Sequence, residues 1–190
     1  MGGFGISRDE VLSLLGKHVT SENLMKHMFA TEAVMRKLAE RLGEDPELWG
    51  LVGLSHDIDF DETKNEPTKH TLVGAEILRS QGVPEEYVKA IVSHNEKTAG
   101  WTPRSVALEH GLAASEAITG LVVATALVMP DKKLASVKPS SVKKRMGQTA
   151  FARNVDRNAV LECQKIGVPI EDFCAIAVEA MQDISSELGL

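Results

Sequence analysis

The 190-residue chain is 43% hydrophobic and 25% charged, the balance of a globular domain. At this length it buries roughly 70% of its unfolded surface, so no disulfide or metal is required merely to fold. Aromatic residues are scarce at 4%, and the formal net charge of −6 argues against an extended nucleic acid or an anionic membrane as partner, since both call for clustered positive charge.

Taken in chain order, the elements are helices. Ser7-Arg8-Asp9-Glu10 is a capping-box pattern that opens a short helix through Val11, Leu14 and Leu15. A longer helix starts near Ser21, carries Leu24, Met28, Thr31, Met35, Leu38 and Leu42 at alternating steps of four and three, and stops at Gly43. Asp45-Pro46 restarts the chain as a cap followed by a first-turn proline, and Trp49, Val52, Gly53 and His56 share a face of that third helix. Asp57 to Glu66 reads as an acidic loop. Pro67 begins a fourth helix with His70, Gly74 and Ile77 on one side, and Val83-Pro84 a fifth with Tyr87, Ile91 and His94 aligned. A long helix runs from about Ser105 to Met129, where Pro130-Asp131 breaks it. Further helices are expected around Ser140–Met146, Asp156–Ile166 and Pro169–Leu188. No alternating strand pattern, internal repeat or low-complexity linker interrupts the series. The expectation is one all-helical domain over 1–190, with a core at about 20–130 and a C-terminal helical extension at about 131–190.

Cys163 and Cys174 lack metal-site spacing and read as small buried hydrophobes in a reducing compartment. There is no basic-then-apolar leader pattern, and the apolar run Ala117 to Met129 is short for a bilayer span. These features predict a cytoplasmic protein that does not engage a membrane. The basic stretch from Lys132 to Arg145 reads as a solvated helix face.

Four of the six histidines fall on faces that their helices turn inward: His27, His56, His70 and His94. A single inward histidine is ordinarily a hydrogen-bonded core residue, but four on successive helices each need a partner, and a metal ion is an efficient common one. Asp57, beside His56 at a helix end, adds the carboxylate that a hard or borderline divalent ion prefers. Glu116 sits among Leu108, Leu112, Thr119 and Val123 on the long helix, where an unpaired carboxylate is costly and a metal-bound one is not. Mn, Fe, Co, Ni and Zn all accept such ligands, as one ion or two.

The segments HMFATEAVMRKLAERLG, LVGLSHDID, KHTLVGAEIL, IVSHNE and ASEAITGLVVATALV, in this order, resemble the HD-domain phosphohydrolase superfamily, and are most similar to small prokaryotic members with additional metal-site histidines. The resemblance implies an HD-type helical bundle in which His27, His56, Asp57 and Glu116 hold a first metal. Asp57, His70 and His94 would then hold a second, or meet the substrate phosphate. It departs from the family at Glu116, where Asp is usual. The implied activity is metal-dependent hydrolysis of a phosphate ester or anhydride of a small, nucleotide-like substrate through an activated water, with Asp57 at its centre. Glu62 is the candidate acid for the leaving group, and Lys69 and Arg104 are candidate phosphate cations. Asp59, Asp61, Lys64 and Asn95 crowd the same region, while His18 and His110 fall outside the pattern. Two alternatives share the ligand set: an oxygen-activating diiron enzyme and a non-catalytic ligand-sensing domain. A homodimer is compatible with the sequence but not indicated by it.

Overall fold

The computed structural model describes residues 3–190, and no strand occurs among them. The helices are α1 (Arg8–His18), α2 (Glu22–Leu42), α3 (Pro46–Ser55), α4 (Phe60–Thr63), α5 (Leu72–Ser80), α6 (Glu85–His94), α7 (Ala107–Leu127), α8 (Pro139–Met146), α9 (Arg157–Leu161), α10 (Ile170–Asp183) and α11 (Ser185–Leu188). Short 3-10 turns lie at Leu134–Ser136 and Glu162–Ile166.

The first helices start and stop where their caps say. Ser7 and Glu10 close a reciprocal capping box, Ser21 accepts from the Leu24 N–H, and the Asp45 carboxylate accepts from Glu47 and Leu48. Gly43 ends α2 in the left-handed conformation, with φ of 75°.

Two local expectations need correcting. The helix expected from Pro67 begins only at Leu72, so His70 stands on the turn before α5 and not on its face. Thr71 takes a left-handed φ of 77° there, and the buried Asp59 carboxylate accepts from the Thr71 and Gly74 N–H groups, at 2.8 Å each. Asp59 thus satisfies the orphan donors of α5 from outside the helix. The acidic segment expected to be a loop contains α4. The third helix, α3, is buried all round from Trp49 to Ser55, with no solvent face to speak of.

Helix α2 packs against α3, α7 and α10, and α7 is the hub that also meets α6, α8 and α9. Helices α2 and α3 approach closely at Gly53, where a Cβ would lie 3.0 Å from both the Thr31 carbonyl oxygen and the Met35 Cγ. By length and composition α7 could cross a bilayer, yet two-thirds of its most apolar stretch is buried in the protein. One contiguous core joins Met28, Leu38 and Ile91 to Ile118 and onward to Val160, Phe173 and Met181. The C-terminal helices therefore cover the same core as the histidine-bearing ones. Cys163 and Cys174 are buried thiols within it, and burial pushes them up to about 12 and about 11.

The loop before α7 is tied to the C-terminal helices by ions. Glu162 accepts two bonds from the Arg104 guanidinium at 2.8 Å and one from His110 Nδ1 at 2.7 Å. Burial works against the Glu162 charge, but Arg104 and His110 outweigh it and hold the carboxyl down at about 2. A depressed carboxyl stabilises the fold above its unfolded value and loses that contribution as pH falls through the folded one. Replacing Glu162 by Gln should therefore destabilise the protein at pH 7 by about 3 kcal/mol, the cost of stranding a buried partner. Urea titrations should show the gap between the two proteins closing between about pH 4.5 and about pH 2.

Candidate metal centre

Asp57 lies just beyond the end of α3, buried, and each of its oxygens faces a different pair of imidazoles. Oδ2 is 3.4 Å from His56 Nε2 and 3.8 Å from His27 Nε2, whereas Oδ1 is 3.2 Å from His70 Nε2 and 3.4 Å from His94 Nε2. His27 comes from α2, His56 follows α3, His70 precedes α5 and His94 ends α6. The five side chains form two groups, His27-His56-Asp57 and Asp57-His70-His94, each compact enough to hold one ion, with Asp57 common to both.

The far side of each ring shows why Nε2 is available. His56 Nδ1 bonds the Gly53 carbonyl at 2.8 Å and His94 Nδ1 bonds the Ile91 carbonyl at 2.6 Å. His70 Nδ1 bonds Asp59 Oδ1 at 2.9 Å. His27 Nδ1 is 3.0 Å from Thr119 Oγ1, which itself donates to the Glu116 carbonyl at 2.7 Å and so accepts from the histidine. All four Nδ1 positions therefore donate outward, turning the four Nε2 atoms toward Asp57, as lone pairs on the neutral rings and as a donor on His70 while it is protonated. His27 Nε2 and His56 Nε2 then lie 3.2 Å apart, lone pair against lone pair. A cation between them turns that repulsion into ligation, and imidazole plus carboxylate is a donor set that divalent transition metals accept.

The electrostatics split the two groups. Burial drives His56 down to about 3 and lowers His27. His70 is opposed by the same burial, but its bonds to Asp57 and Asp59 raise it to about 9. Burial also works against the Asp57 charge, and the surrounding imidazoles, His56 foremost, nevertheless hold its carboxyl well below the ordinary range.

Other expected residues stand elsewhere. Glu116 is half-buried on α7, outside both ligand groups, beside a cleft of about 300 Å³ lined by His27, Gly120, Asn154 and Asp156. Burial raises its carboxyl to about 7, and Asp57 adds to the rise against the opposing pull of His94. Glu62 is exposed on α4, and Lys69 is exposed and paired with Glu66 at 2.6 Å. Neither belongs to the ligand groups. Arg104 is committed to Glu162, Glu96 and the Ser93 carbonyl, so it is a structural cation and not a phosphate ligand. Asp61 accepts from the Thr20 and Ser21 N–H groups at the start of α2, and Asn95 donates to the Pro67 and His70 carbonyls. His110 is structural, as expected. Asp59 and Thr119, placed near the site by the sequence without a role, are the supports of His70 and His27. An aspartate two residues beyond His-Asp and a threonine three beyond Glu116 were the available signals.

The family model for the HD domain matches residues 24–124. Ribonuclease Y of Thermosipho melanesiensis is 31% identical over 122 residues, covering 62% of this chain and 24% of that protein. Ribonuclease Y of Acidothermus cellulolyticus is 32% identical over 115 residues, and that of Thermotoga maritima 30% over 115, each covering 58% of this chain and 23% of the relative. The chain thus spans about a quarter of the length of these relatives. No solved structure matches it significantly.

These relatives overturn the exclusion of an extended nucleic acid, and with it the restriction to a small phosphorylated partner. Net charge was the wrong quantity to argue from. Glu32, Asp59 and Glu162 are buried acids that do not face an approaching polyanion, while Lys132, Lys133, Lys138, Lys143 and Lys144 are exposed. Local potential, not the sum, governs the encounter.

Metal binding should depend on pH at one group only. A cation at Asp57-His70-His94 must displace the His70 proton, so its affinity should rise about tenfold per pH unit from pH 6 toward about 9. Binding at His27-His56-Asp57 should stay nearly flat, because His56 is already neutral there. Replacing Asp59 by Asn should weaken the first of these groups by about 10–100-fold and spare the other. Competition titrations with a chromophoric chelator at several pH values would test both expectations.

Proposed function

Because the chain belongs to the HD domain family, we propose that it is a metal-dependent hydrolase of phosphodiesters, with single-stranded RNA as its substrate class. The observation that carries this reading is the outward anchoring of all four Nδ1 atoms, which turns two Nε2 atoms toward each of the two Asp57 oxygens. The choice of RNA is supported by the ribonuclease relatives.

Divalent ions held by these residues supply Lewis acidity toward a phosphoryl oxygen and make water a nucleophile near neutral pH. Everything else is done by the chain. Asp57 orients both ligand pairs, because its carboxylate is fixed between them and stays ionised at any working pH. Asp59, Thr119 and the Gly53 and Ile91 carbonyls lock the imidazole rings, so little reorganisation is needed when a substrate arrives. His27 is the most exposed ligand, its side chain 27% accessible against 1% for His56, so substrate enters on the α2–α7 side. Glu116 flanks that entrance and is assigned either to the first metal, as its family position implies, or to proton transfer beside it. Its carboxyl, raised to about 7, suits the second role at neutral pH. Glu62 and Lys69 remain proposals for the substrate's periphery, because both are exposed.

Metal-loaded protein should cleave a fluorescently labelled single-stranded RNA. Replacing Asp57 by Asn, or His56 by Ala, should lower the rate by about 1,000-fold, the equivalent of several kcal/mol of lost stabilisation. Circular dichroism should confirm that the helices persist, since the core does not rest on either residue. Full cleavage by the Asp57→Asn protein would overturn the assignment.

A further inference from the structure

Phe60 follows the metal-centre loop directly. Its N–H donates to the Asp57 main-chain carbonyl at 3.0 Å, so its backbone is tied to the residue common to both ligand groups. Its neighbours turn inward: Ile58, Asp59 and Thr63 are all buried, and Thr63 Oγ1 donates to the Asp59 carbonyl. Phe60 turns the other way and is 39% exposed.

That exposure sets it apart among the aromatic side chains. Phe4, Trp49, Tyr87 and Phe173 are core residues, Phe29 is half-buried against that core, and Trp101 and Phe151 carry Arg104 and Arg145 on their faces. The exposed ring and the metal-centre imidazole of His70 form a T-shaped pair, with centroids 5.2 Å apart and planes at 83°. A ring this near His70 is within reach of a base whose phosphate is held at the ligands. A flat apolar face at that place is suited to a nucleobase, which every RNA residue presents regardless of sequence.

We infer that Phe60 is a stacking platform for the base beside the scissile phosphate, and hence a specificity-determining residue that favours nucleic-acid esters over base-free ones. The inference rests on the phosphodiesterase reading above.

The test compares metal-loaded wild-type, Phe60→Ala and Phe60→Trp proteins on a single-stranded RNA and on an abasic oligoribonucleotide of equal length. Elemental analysis first checks that metal content is unchanged. Phe60→Ala should lose about tenfold or more in kcat/KM on RNA, chiefly through KM, the size of one base–aromatic stack. Phe60→Trp should retain the wild-type value, and all three should cut the abasic chain alike. Equal activity of Phe60→Ala and wild type on RNA would overturn the platform. So would an equal loss on both substrates, which would mark the ring as support for His70 alone. If wild type cuts neither substrate, the hydrolase reading fails, and binding of RNA containing 2-aminopurine decides the platform separately. Quenching that depends on Phe60 sustains it, and quenching that does not, or no binding at all, refutes it.

Discussion

A buried carboxylate is tolerated only when positive charge or several donors surround it, and Asp57 meets that condition through the protonated His70 on one oxygen and through the cations that its two groups of imidazoles, drawn from four places in the chain, would hold. The demand is severe because the rings must present the same nitrogen. If one Nδ1 anchor were lost, that ring could turn or change tautomer, and the carboxylate would lose part of its compensation. The helical framework is therefore read most economically as a device for holding five side chains around a point. The close approach of α2 and α3 at Gly53 sets the separation of His27 and His56. Helix α6 ends where His94 is needed, and α7 supplies Thr119 to fix His27.

The turn before α5 shows the same economy. Asp59 anchors the His70 ring with one oxygen and receives two backbone N–H groups of the α5 start with the other. Helix initiation and ligand orientation thus share one carboxylate. The left-handed backbone at Thr71 is an uncommon conformation for a β-branched residue, and it is held by these bonds together with the Thr71–Thr98 hydroxyl contact at 2.8 Å.

Much of this was legible in the sequence. Capping residues Ser7, Ser21 and Asp45 and the stop at Gly43 act through bonds spanning a few residues, so local pattern reveals them. The inward histidines were legible because α2 and α6 have a periodic apolar face. The start of α5 was not, because its capping carboxylate comes from Asp59, twelve residues before Thr71, and periodicity carries no record of such a bond. Arg104 misled for the same reason: its partner Glu162 lies far along the chain, and the pair neutralises what looked like a free phosphate cation. The charge argument failed on a different count, since a sum over residues does not distinguish acids spent inside the protein from those facing solvent.

The four anchors of the imidazoles are not alike. His56 and His94 are held by main-chain carbonyls, which survive any change of side chain that preserves the helices. His70 and His27 are held by the side chains of Asp59 and Thr119, which a single codon change can replace. Two corners of the centre are thus invariant as long as the fold exists, and two are open to inheritance. Variation among descendants of this chain has a direction built in: ligand strength and ion preference can drift at His70 and His27, one corner in each group, while the other corner of each keeps a constant hold.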